Sequence, residues 1–159
     1  MLEIQLFILI GVANGTPIIA RIIAGPRLKF PVDCNKAFVD KRPLFGTSKT
    51  ILGLTSSLLV TTLCAYGFGF SLLFGALIAC CAMIGDLLSS FIKRRLNFPP
   101  STSIPGLDQI PEALLPMLLA KQTLELNWIS IFIVITAFMV FNLIISHFIY
   151  KKKTPNSPH

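Results

Sequence analysis

The chain has 159 residues, of which 53% are hydrophobic and 13% charged, with a formal net charge of +7 and a mean hydropathy of +0.75. That length suits a single domain. Thirteen phenylalanines and long Leu/Ile runs exclude a water-soluble globule, because so small a chain could not hide them. The expectation is an all-α integral membrane protein.

A hydrocarbon core ~30 Å thick needs about 20 apolar residues per helix, and five segments qualify in chain order. The first, Leu2 to Ile23, is interrupted by Gly11, Asn14, Gly15 and Pro17, which predicts a bent or unwound second half with Asn14 facing inward. It lacks a basic leader, so no cleavable signal is expected. Thr50 to Tyr66 and Phe70 to Ile92 follow as an antiparallel pair joined at Gly67 and Gly69. A weaker segment, Ile110 to Leu126, carries Glu112, Pro116, Lys121 and Glu125. Trp128 to Tyr150 closes the series, with aromatic rings at both ends where they favour the interface. Residues 1–150 thus form one polytopic domain, and 151–159 a short basic tail expected to be disordered. The cysteines at 34, 64, 80 and 81 have no metal-ligand spacing and read as buried apolar residues.

The bases are unevenly placed. Seven Lys and Arg lie at or in the first loop, three open the third loop, three follow the last span, and only Lys121 falls elsewhere. Five crossings put those three regions on one side, which the positive-inside rule makes cytoplasmic, with the N-terminus out and the C-terminus in. The cytoplasmic loops also hold acids, Asp33, Asp40, Asp108 and Glu112 among them, and are expected to form a polar cavity.

Within Gly85 to Arg95, steps of three, four and seven from Asp86 reach Ser89, Ser90 and Lys93, so all four share one helical face. A carboxylate in a membrane segment points to function; the structural alternative is a pair with Lys93. Asp108 lies on the same membrane side. Two carboxylates beside Lys93, Arg94 and Arg95 suit magnesium-assisted phosphoryl or nucleotidyl transfer, with hard oxygens for the ion and cations for the phosphates. Gly46-Thr47-Ser48-Lys49-Thr50 is not a P-loop, since Ser48 precedes the lysine and no strand is expected. It reads either as a local phosphate site at a helix N-terminus or as a basic loop ending in an N-cap threonine. His147 and His159 belong to no dyad, and no GxSxG, HExxH or SxxK motif is present.

The order Asn14…Pro31-Val32-Asp33…Asp40-Lys41-Arg42…Phe45-Gly46-Thr47-Ser48-Lys49-Thr50…Gly85-Asp86…Ser90-Phe91-Ile92-Lys93-Arg94-Arg95…Leu107-Asp108-Gln109 resembles the CDP-archaeol synthases, relatives of phosphatidate cytidylyltransferases, over residues 11 to 115. The resemblance implies a five-helix membrane enzyme that uses CTP and Mg2+ to convert an ether lipid phosphate into its CDP-activated form, releasing pyrophosphate. It implies magnesium on Asp86 and Asp108, and phosphate contacts from Lys49 and Lys93, with Lys93 counted as catalytic beside the two acids. Asp33, Asp40 and Arg42 would shape the nucleotide cavity, and Asn14, Gly46, Thr50, Ser90 and Arg94 would line the substrate site. Members commonly carry an acid three residues after Asp108, where this chain has Pro111. Either Glu112 serves as the metal ligand instead, or one ligand is missing. The implied partners are CTP, a membrane lipid phosphate and the bilayer of the inner (cytoplasmic) membrane, with the active site facing the cytoplasm. No nucleic acid is expected, and Gly75, Ala76 and Ala79 could pack helices within or between protomers. Two other readings fit the residues: a small transporter in which Asp86 relays a proton or cation, and a non-catalytic lipid-binding relative.

Overall fold

Among the described residues five helices form in chain order: α1 (Leu2–Ala24), α2 (Ile51–Gly67), α3 (Leu72–Arg95), α4 (Gln109–Leu124) and α5 (Trp128–Lys153). This computed structural model describes residues 1–25 and 30–153, the last seven as backbone only. Of the expected disordered tail, 151–153 continue α5, and 154–159 lie outside the described residues, as do Arg27 and Lys29 of the first loop. Thr50 caps α2 by accepting from Gly53 N, and Ser71 caps α3 by accepting from Phe74 N, each at 3.1 Å.

The five-span expectation does not survive. Among the described residues three helices are long and apolar enough to cross a membrane: α1, α3 and the Trp128–Ser146 stretch of α5. The reason is length and polarity. At about 1.5 Å per residue, 17 residues in α2 rise only about 25 Å and 16 in α4 about 24 Å, short of a ~30 Å core. α4 also carries Glu112 and Lys121. The N-out, C-in assignment rested on five crossings and loses that basis, although three crossings likewise leave the termini on opposite sides.

α3 is the central helix and packs most extensively on α4, then on α2 and α1. Gly75 is used inside the chain, since a Cβ there would lie 2.6 Å from Ala65 Cβ of α2. The cysteine expectation is also corrected. All four are free, but Cys34 and Cys80 are exposed and Cys64 and Cys81 only partly buried, because the loop tip and the outer face of α3 carry the first two away from the core.

The unwinding expected in the second half of α1 is absent. α1 runs unbroken through Pro17, which has no N–H to offer the Ala13 carbonyl. The Ser57 hydroxyl of α2 donates to that oxygen instead, at 2.7 Å. Gly53, one turn earlier on α2, makes room: a Cβ there would come within 3.1 Å of the proline's. Ser57→Ala strands a buried carbonyl and is expected to destabilise the protein by about 1–3 kcal/mol, read as a lower Tm in detergent; an unchanged Tm would show that α1 does not depend on this bond.

Candidate active site

A single cavity of ≈ 440 Å³ gathers Asn14, Lys49, Thr50, Asp86, Ser90, Lys93, Arg94, Asp108 and Glu112 from three helices and the residues that precede α2 and α4. The α3 spacing explains part of this, because 86, 90, 93 and 94 fall on one face. Ser89 belongs elsewhere: it is buried, and its hydroxyl donates to the Asp86 carbonyl at 3.0 Å.

The charges pair between elements, not along α3. Asp86 takes the ammonium of Lys49 from the first loop. Lys93 Nζ lies 2.7 Å from Asp108 Oδ1 while donating to the Thr102 carbonyl at 2.9 Å. The Lys93–Asp108 contact is an ion pair, and among the described residues Oδ1 accepts no hydrogen bond of good geometry. The other oxygen, Oδ2, accepts from Ile104 N at 3.0 Å, tying the Pro/Ser loop to the start of α4. The structural pair Asp86 with Lys93 is not formed. Arg94 is 4% exposed, and its Nε and Nη1 have no partner. A buried guanidinium that lines a polar cavity, with donors unpartnered among the described residues, is suited to a phosphate oxygen.

Glu112 reaches the site because α3 and α4 touch at backbone distance. A Cβ on Gly85 would fall 2.3 Å from the Pro111 carbonyl oxygen and 2.8 Å from Glu112 Cα. Pro111 occupies the first turn of α4, where a helix needs no N–H from it. Position 111 thus supplies backbone, and 112 supplies the carboxyl. Burial, and then the Asp86 carboxylate, push the Glu112 carboxyl well above the ordinary carboxylate range.

Asp33, Asp40, Arg42 and Gly46 do not line the cavity; they build the first loop. Asp33 accepts from Asn35 N on one oxygen and from Phe45 N and Gly46 N on the other, all at 3.0 Å. Gly46, at φ +88, lets the chain turn against Pro100 and Arg94. Asp40 accepts from Arg95 Nη1 at 2.7 Å, and Arg42 donates to the Arg95 carbonyl. Arg95 sits over the Phe38 and Phe91 rings at 5.0 and 4.9 Å, so the loop tip is clasped to the end of α3.

Burial pushes the Asp33 carboxyl up, but the Phe45, Gly46 and Asn35 N–H groups outweigh it and hold the group below its usual value. With the folded pKa depressed, its stabilisation is complete above the unfolded pKa of about 3.9 and is lost as pH falls through the lower folded value. Asp33→Asn is expected to melt below wild type at pH 7, with the gap closing as pH drops below about 4. A gap that stays constant down to pH 3 would show that ionised Asp33 does not hold the loop.

Four basic side chains, Arg21, Lys49, Lys93 and Arg94, and three acidic ones, Asp86, Asp108 and Glu112, line the cavity among the described residues. Among the described residues no three His, Cys, Asp or Glu side chains converge into a ready-made ion cage. The donor chemistry nonetheless fits Mg2+, which binds through one or two carboxylates and completes its shell with substrate phosphates and water. Arg21, Gln109, Asn142 and the Ser101 to Ser103 turn also line the cavity and carry no sequence-based assignment. Arg21 follows Asn14 by seven residues, so its place on that helical face was readable; Asn142 is an amide alone in an apolar span.

The model of the CarS-like CDP-archaeol synthase family matches residues 2–154. The chain belongs to that family. A CDP-archaeol synthase of Pyrobaculum calidifontis is 36% identical over 132 residues, 78% of each chain. One from Pyrococcus furiosus is 41% identical over 107 residues, 61% of this chain and 60% of that one. The solved structure of an intramembrane enzyme for archaeal membrane lipid biosynthesis superposes with a TM-score of 0.71 at 28% identity, covering 90% of this chain and 91% of the other. These likenesses bear out the CDP-archaeol synthase resemblance, the nucleotidyltransferase class that it implies and the multi-pass membrane character.

Proposed function

We propose that this chain transfers the cytidylyl group of CTP to an archaeal-type ether lipid phosphate, giving a CDP-activated lipid and pyrophosphate. The observation that carries the chemistry is the cavity's excess of bases over acids among the described residues, with the incompletely partnered Arg94 guanidinium in its wall. A lipid phosphate oxygen bonds to the α-phosphorus of CTP as the bond from that phosphorus to the β-phosphate bridging oxygen breaks. Lys49, Lys93 and Arg94 bind and orient the phosphates, and Asn14, Thr50 and Ser90 line the path of the substrates. Asp33, Asp40, Arg42 and Gly46 act at one remove, by giving the loop that presents Lys49 its shape. Asp86, Asp108 and Glu112 would hold Mg2+, which supplies charge neutralisation on the triphosphate. Positioning and electrostatics supply most of the catalysis in such a displacement. The cavity is assigned to the cytoplasmic side of the inner membrane, where CTP is available and where basic residues gather.

Purified protein given CTP, Mg2+ and a panel of ether and ester lipid phosphates is expected to release pyrophosphate with the ether substrates. Absence of release with every lipid, from protein with a cooperative melt, would reject the enzymatic reading.

A further inference from the structure

The four bases of the cavity are not equivalent. Lys49 and Lys93 are each engaged with a carboxylate, and Arg94 is almost wholly buried. Arg21 differs on every count. It lines the cavity from the last turn of α1, is exposed, and among the described residues forms no ion pair. Its neighbours along α1 are apolar and exposed, Ile18 at 63% and Ile22 at 75%. Gly15 and Ile18 of α1 and Phe141 and Ile145 of α5 add apolar wall to the cavity beside the amides Asn14 and Asn142. Gly15 has nothing within 4 Å of where a Cβ would stand, which leaves that wall open. An arginine at the end of a lipid-facing helix keeps its stem in hydrocarbon and its guanidinium at the polar boundary, where the fork of donors matches a phosphate.

Two phosphate compounds must meet in this cavity, one arriving from water and the other from the bilayer. We infer that Arg21 receives the phosphate of the lipid substrate, leaving Arg94 and the two lysines to the nucleotide; this rests on the cytidylyl-transfer reading. The apolar wall between α1 and α5 then faces the first carbons of the lipid chains. Arg21 is a substrate-binding residue whose loss falls on one substrate alone.

The test compares wild type, Arg21→Gln and Arg21→Lys, using a short-chain dialkyl glycerol ether phosphate in detergent. Arg21→Gln is expected to raise the KM for the lipid phosphate about tenfold, the scale of one charge-assisted contact, with the KM for CTP unchanged. Arg21→Lys, which keeps the charge without the fork, is expected to fall between the two. In a second arm without CTP, the lipid phosphate is expected to raise the Tm of wild type more than that of Arg21→Gln. The uncharged dialkyl glycerol and inorganic phosphate are each expected to show no such difference. An unchanged lipid KM in both variants, or a CTP KM rising in step with it, would overturn the assignment. An equal Arg21-dependent shift with inorganic phosphate would do the same, by making a soluble phosphate the ligand. The arm without CTP needs no turnover, so an inactive wild type would count against cytidylyl transfer while leaving Arg21 tested on its own.

Discussion

Asp86→Asn is expected to lower kcat for pyrophosphate release by about 10²- to 10³-fold, the scale of removing one preorganised electrostatic group from an active site. The substitution is isosteric, so the loss isolates the charge. Asp86 holds the Lys49 ammonium and adjoins Glu112 across the α3–α4 contact. Asparagine leaves Lys49 without its counter-ion, and the side chains of this pair are only 20% and 16% exposed, so stability should fall as well. The two effects separate in a double variant. Asp86→Asn combined with Lys49→Met removes both charges and should recover part of the lost Tm while activity stays low. Kinetics and thermal melts on the same preparations read both quantities; a kcat within twofold of wild type in Asp86→Asn would remove Asp86 from the chemistry.

What could be read from the sequence was periodic or local. The face carrying Asp86, Ser90 and Lys93 follows from helical spacing, and the structure opens all three onto one cavity. Thr50 could be read as an N-cap, and it accepts from Gly53 N as such a residue does. Partner choice was not legible, because it depends on how helices meet. Asp86 chose Lys49, 37 residues away, over Lys93 on its own helix. Pro17 looked like a break because the donor that compensates it, Ser57, is 44 residues distant. Span counting failed for a related reason. α4 packs on α3 and α5 and keeps Gln109 buried and Glu112 and Lys121 half-buried, so a largely apolar stretch of sixteen residues reflects burial in protein as much as in lipid. Arg95 was read with its neighbours as one of a topological run of bases, yet its contacts with Asp40, Phe38 and Phe91 tie the first loop to α3.

Gly85→Ala carries the second large expectation, and it tests whether the close approach of α3 and α4 is what brings the Glu112 carboxyl into the cavity. The added methyl would sit 2.3 Å from the Pro111 oxygen, 2.5 Å from its carbonyl carbon and 2.8 Å from Glu112 Cα. All three are backbone atoms, so no side-chain rotation relieves the clash and α4 must move. Overpacking of this kind costs about 1–3 kcal/mol, occasionally more, and the absence of a yielding side chain places Gly85→Ala at the upper end. The displacement acts first on the two carboxyl groups that this contact holds together, Asp86 and Glu112. Activity is therefore expected to fall further than stability alone explains, persisting well below the variant's own Tm. Gly67→Ala, where nothing lies within 4 Å of the new methyl, controls for a glycine replaced in a helix and should melt at or above wild type. If Gly85→Ala kept wild-type turnover, close approach of α3 and α4 would not be what brings Glu112 into the site. The acid at 112 would then be incidental to the reaction, and Asp86 and Asp108 would be left as the carboxylates that matter.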